Sequence, residues 1–139
     1  MSAASGPAFR CTTIVDATDL PCANPADVLA IARRLPEWDA ATIIPESGDF
    51  PRADVTWHEG HGFVVHCFEN DASWGYFLAR NEPLSAPIVD IVLVPHRERW
   101  PSQLFVSPQM AAEALEVFLA TGTQKATLRW IRNGAFERA

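Results

Sequence analysis

The residues with the most potential for chemistry lie close together in mid-chain: His58-Glu59-Gly60-His61, then His66 and Cys67. Histidines and a glutamate in so short a span invite comparison with the zinc-protease helix. That helix needs two histidines four apart on one face, with the glutamate beside the first. Here the spacing is three, and Gly60 and Gly62 break any helix. His66 and Cys67 are adjacent in an alternating segment, so they point to opposite faces of a strand and cannot both join one ion. The segment reads as a polar hairpin tip, and no metal or other cofactor is expected.

Other reaction classes find no support. Nucleophilic catalysis needs a serine or cysteine beside a base that an acid orients. Neither a G-x-S-x-G elbow nor a cysteine–histidine pattern of family spacing is present. The seven glycines are scattered, and no G-K-[ST] follows any of them, so there is no phosphate loop. Cys11, Cys22 and Cys67 are odd in number and widely spaced, which argues against a disulfide framework and for the reducing cytoplasm. Acid pairs such as Glu46 with Asp49, and Glu69 with Asp71, fall on turns, the usual place for solvated carboxylates. The formal charge is −6 and Lys125 is the only lysine, which disfavours nucleic acid as a ligand and favours a basic protein. Of the five tryptophans, Trp38 and Trp100 fall in segments read as loops, which makes them the candidates for partner contact.

The elements that must carry these residues follow from periodicity. A length of 139 residues suits one domain, taken as 1–139 with residues 1–8 disordered. Met1 to Phe9 lacks a basic start and an apolar run, so it does not read as a signal peptide, and no apolar window is long enough to span a membrane. Phe9 to Asp16 alternates as a strand. Asn24-Pro25-Ala26-Asp27 opens a helix whose stripe is Val28, Leu29, Ile31, Ala32 and Leu35, and Pro36 ends it. Strands are predicted over Thr42 to Glu46, Ala53 to His58, Phe63 to Glu69 and Trp74 to Ala79, joined by turns at Ser47-Gly48-Asp49, Glu59 to Gly62 and Asn70 to Ser73. Ile88 to Val94 is almost wholly apolar and is expected to be covered on both faces, with Pro95 to Gln103 a polar connection. Ser107-Pro108 opens a second helix with the stripe Met110, Ala111, Ala114, Leu115, Phe118 and Leu119, and Gly122 stops it. Ala126 to Ile131 is the last strand. The sum is an α+β fold, a mostly antiparallel sheet of about six or seven strands with two main helices on one face.

The C-terminal third carries a more specific signal. Phe105-Val106-Ser107-Pro108-Gln109-Met110, then Ala111, Ala114 and Phe118, then Thr121-Gly122, then Leu128-Arg129-Trp130, resembles the end of the Imm1 family of bacterial immunity proteins. Glu46-Ser47-Gly48, the hairpin through Gly60, and Gly75-Tyr76-Phe77-Leu78 fit the same order more loosely. Lys125 stands where the family often has proline. The resemblance implies a non-catalytic binder that neutralises a cognate toxin, in several cases a nucleic-acid deaminase. A secretion chaperone or adaptor, and a small-molecule enzyme without a local motif, are the competing readings. A toxin that acts on nucleic acid has a basic cleft, which an inhibitor could fill with carboxylates. The turn acids available are Glu46, Asp49, Glu59, Glu69, Asp71 and Glu82. In an up-and-down sheet the Glu46–Asp49 and Glu69–Asp71 turns share one edge, with Trp38 or Trp100 expected as an apolar anchor.

Overall fold

The computed structural model describes residues 9–14, 18–20, 24–36, 38–46, 48–70, 75–83, 89–93 and 96–132. Cys22, Asp71, Trp74 and the N-terminal residues 1–8 lie outside the described residues, as does the end of the turn after Asn70. The element order is β1 (Phe9–Thr13), β2 (Asp19–Leu20), α1 (Pro25–Arg34), β3 (Ala41–Pro45), β4 (Arg52–His58), β5 (Gly62–Phe68), β6 (Tyr76–Ala79), β7 (Val89–Leu93), β8 (His96–Trp100), a 3-10 turn (Ser102–Leu104), α2 (Pro108–Thr121) and β9 (Arg129–Arg132). Seven strands form one sheet in the order β2-β1-β3-β4-β5-β6-β9, every neighbouring pair antiparallel. The fold is therefore α+β, as the alternation and the two capped helices foretell.

Both helices start and stop for local reasons. Asn24 accepts from the Asp27 amide at 3.0 Å and Ser107 from the Met110 amide at 3.2 Å, each followed by a proline in the first turn. Gly122 ends α2 in the left-handed conformation at φ 75°, its N–H donating to the Phe118 carbonyl at 2.7 Å. The two apolar stripes pack on one face of the sheet. There Val28, Ile31, Ala32, Ala111, Leu115 and Phe118 meet Cys11, Ile43, Val55, Phe63, Val65 and Leu78.

The opposite face departs from expectation. The segment His96–Trp100 is a strand, not a polar connection, and it pairs with β7 in a separate two-stranded sheet. Its charges hide the alternation: Arg97 and Arg99 face outward while Trp100 is buried. Strand β7 is covered on one side, with Val89 and Ile91 buried and Asp90 exposed beside Arg99 at 3.6 Å. This hairpin lies against Val64, Phe77 and Ala79 of the main sheet and forms a second core with Leu104 and Phe105. The short strand β2 also has no counterpart in the sequence reading, two residues being too few for a period to show.

The chain crosses from one core to the other at Val106. Its N–H donates to the Phe63 carbonyl at 2.8 Å, and the Phe63 N–H donates to the Val106 carbonyl at 3.1 Å. Gly62 permits the approach: at φ 137°, a Cβ there would sit 2.7 Å from the Val106 oxygen.

Candidate functional site

The candidate acids lie just beyond the ends of the strands. Strands β3, β4 and β5 are successive antiparallel neighbours, so β3 and β5 run the same way and finish at the same end. The register fixes this closely: Ile43 pairs with Ala53, and Arg52 pairs with Phe68. Glu46 follows β3, Asp49 lies in the turn before β4, and Glu69 follows β5. Neighbouring strands are about 4.8 Å apart, so these three acids belong to one end spanned by three adjacent strands. All three are exposed, and none makes a hydrogen bond or ion pair among the described residues.

Two cations near this end are committed to other carboxylates, Arg10 to Asp19 at 3.1 Å and Arg52 to Asp54. Arg52 donates twice to Asp54, Nε to Oδ1 at 2.8 Å and Nη2 to Oδ2 at 2.9 Å. That hydrogen-bonded pair holds the Arg52 guanidinium above its ordinary pKa, against the cost of burial, and the negative field of Asp54 and Asp49 adds to the effect. Thr42 Oγ1 also donates to Asp54, at 2.8 Å. The guanidinium lies 5.4 Å from the centre of the Phe68 ring.

Behind the acids is a cleft of about 350 Å³ between the sheet end and the C-terminus of α2. Pro51, Phe68 and Glu69 line it from the sheet, and Phe118, Gly122 and Gln124 from the helix. The last turn of α2 contains no basic residue. The Gln124 side-chain nitrogen is buried without a hydrogen-bond partner among the described residues.

The other candidates fall elsewhere. Glu59 follows β4 and Glu82 follows β6, so both sit at the opposite end of the sheet, as does Trp38 just before β3. There Glu59 accepts from Trp57 Nε1 at 3.2 Å, and Glu82 lies 3.6 Å from Arg80. Trp38 is 44% exposed, next to Ile14 at 47%, whose N–H donates to Asp39 Oδ1 at 3.1 Å. Trp38 cannot flank the Glu46–Glu69 end. Trp100 cannot either: it is 6% exposed, packed on Phe77, with its indole N–H donated to Glu98 at 2.9 Å.

His58 also needs correction. It is not at a polar tip but buried, its Nε2 2.8 Å from Thr56 Oγ1 and its ring edge-on to Phe105 at 5.3 Å. His61 stays exposed on the turn. His66 stacks on Phe77 at 3.9 Å, while Cys67 enters the helix-side core, so the two do point to opposite faces. Burial, helped by the charge of Asp54, pushes the Cys67 thiol up to about 12. At neutral pH it is a protonated, unreactive core side chain.

The acid positions were legible from turn chemistry, and the shared end from strand parity. The cleft was not, because it needs Phe68 and Phe118 brought together from distant parts of the chain.

Comparison with curated proteins gives no match. The family model described as immunity protein Imm1 matches residues 16–132, which takes in every element from β2 to β9. The chain belongs to the Imm1 family of immunity proteins.

Proposed function

We propose that this chain works in the cytoplasm as a non-catalytic inhibitor, seating the Glu46–Asp49–Glu69 end of its sheet in the basic cleft of a cognate toxin that acts on nucleic acid, such as a deaminase. The observation that carries this reading is the convergence on one sheet end of three exposed carboxylates that make no hydrogen bond or ion pair among the described residues, beside an Arg52 that is bound to Asp54. A cleft built to hold phosphates presents lysine and arginine. Carboxylates set at comparable spacing on a rigid edge compete for those cations, speed encounter and repel acidic partners. The net charge of −6 acts in the same direction and against direct binding of nucleic acid. Family membership supplies the class of partner, a toxin protein.

Two measurements test the proposal. Growth of cells expressing the toxin domain encoded beside this gene should be restored by co-expression of the chain. The double reversal Asp49→Lys with Glu69→Lys should then slow association by about tenfold at low salt and reduce its salt dependence. Association with unchanged rate and unchanged salt dependence would show that these acids do not face the toxin.

A further inference from the structure

We propose that Arg52 is the central contact of the acidic end, donating from Nη1 to a main-chain carbonyl oxygen of the bound toxin. The inference deepens the inhibitor reading and rests on it, since the toxin supplies the acceptor. Position comes first. Arg52 opens β4, the middle one of the three strands at this end, and it pairs with Phe68, the residue before Glu69. Ala53, the next residue, pairs with Ile43, so the end of β3 that leads to Glu46 flanks it on the other side. Asp49 precedes it by three residues, and the field of that carboxylate is felt at the guanidinium. The arginine therefore sits between three exposed acids. Order is the second observation. Nε and Nη2 are both taken by Asp54, Asp54 is itself held by Thr42, and the guanidinium carbon stands 5.4 Å from the centre of the Phe68 ring. An arginine already fixed by such contacts loses little freedom on binding. The third observation is the nitrogen left over. Nη1 makes no hydrogen bond among the described residues, the side chain is 32% exposed, and Nη1 is not one of the buried unpaired atoms. It is a donor open to solvent. Ordered arginines at the centre of a polar rim are where binding energy concentrates. Charge selects the acceptor: Asp54 already neutralises the guanidinium and the surrounding acids repel a carboxylate, so a neutral carbonyl oxygen fits where an anion does not.

The test is kinetic and uses the full chain with the toxin domain encoded beside its gene. Charges on the rim of an interface govern association, whereas a hydrogen-bonded group at its centre governs dissociation. Arg52→Lys keeps the charge beside Asp54, but its compact ammonium cannot also take the place of Nη1. That variant should dissociate about tenfold faster than the parent chain, with association rate and salt dependence unchanged. Asp54→Asn disturbs the same pair yet leaves Nη1 in place, so its dissociation should quicken far less. A third reading needs no substitution: in the unaltered chain, the Arg52 guanidinium protons, followed by nitrogen-labelled NMR, should exchange with solvent more slowly once the toxin domain is added. Dissociation of Arg52→Lys no faster than the parent's would overturn the proposal, as would guanidinium exchange as fast in the complex as in the free chain. Asp54→Asn dissociating as fast as Arg52→Lys would show that the arginine acts only by shaping the sheet end, which overturns it too. The inhibitor reading fails separately, through an unaltered chain that does not restore growth or an Asp49→Lys with Glu69→Lys variant that associates as the parent does.

Discussion

The two faces of the sheet are built by different rules. The helix face is dry: Val28, Ile43, Val55, Phe63, Val65, Leu115 and Phe118 fill it, and its stability comes from apolar area and close packing. The hairpin face mixes apolar groups with a polar row, in which Thr42 and Arg52 hold Asp54 while Thr56 meets a buried His58. That face depends on hydrogen bonds being complete, because a buried polar group that loses its partner is costly. Helices cover one face, and the hairpin packs on Val64, Phe77 and Ala79 of the other.

Removing one group from each side should expose this contrast. Phe118→Ala should cost about 3–5 kcal/mol, read by urea denaturation, since the ring is 2% exposed in the helix-side core. An unchanged midpoint would mean the helix is not seated on the sheet. On the hairpin side, Asp54→Ala should cost about 1–3 kcal/mol, because it strands Arg52 and Thr42. Asp54→Asn should recover part of this by keeping the Thr42 bond. Equal stability of the alanine variant and the parent would show that the polar row is ornamental.

A pH series sharpens the comparison. The Cys67 thiol is raised from an ordinary value of 9.0 to about 12, first by burial and then by Asp54. A raised acid holds its proton longer in the folded chain than in the unfolded one. Its contribution is therefore complete below about pH 9 and is lost as pH rises toward 12. Stability should fall through that window, and Cys67→Ala should flatten the fall. The smallest effect belongs to the sheet end: Asp49→Lys with Glu69→Lys should change unfolding free energy by no more than about 0.5 kcal/mol, since both are exposed and neither makes a hydrogen bond or ion pair among the described residues.

This contrast also decides what could be read in advance. The helix face was legible because its signals are local. Asn24 and Ser107 cap, Gly122 stops, and the stripes repeat at three and four residues. The meander was legible from alternation, with the Glu59–Gly62 turn placed where the structure has it. The hairpin face was hidden because its cover arrives from later in the chain. Nothing near His58 indicates that Trp100 and Phe105 will close over it, and Arg97 and Arg99 make β8 look like a loop. Trp100 was misplaced for the same reason: β7 was read as a strand, but its pairing with His96–Trp100, which sets the inward direction of the indole, does not show in periodicity. The division of the turn acids between two ends needed the strand order as well as the turns.

The crossing at Val106 has a consequence for how the molecule comes apart. Leu104 and Phe105 belong to the hairpin-side core, Val106 to the helix-side core, and two reciprocal hydrogen bonds tie Val106 to Phe63. Neither core can open fully without pulling on that short stretch of backbone. The described residues should therefore lose structure in one cooperative transition despite having two cores. The amide protons of Phe63 and Val106 should be among the slowest to exchange with solvent, released only when the whole sheet gives way.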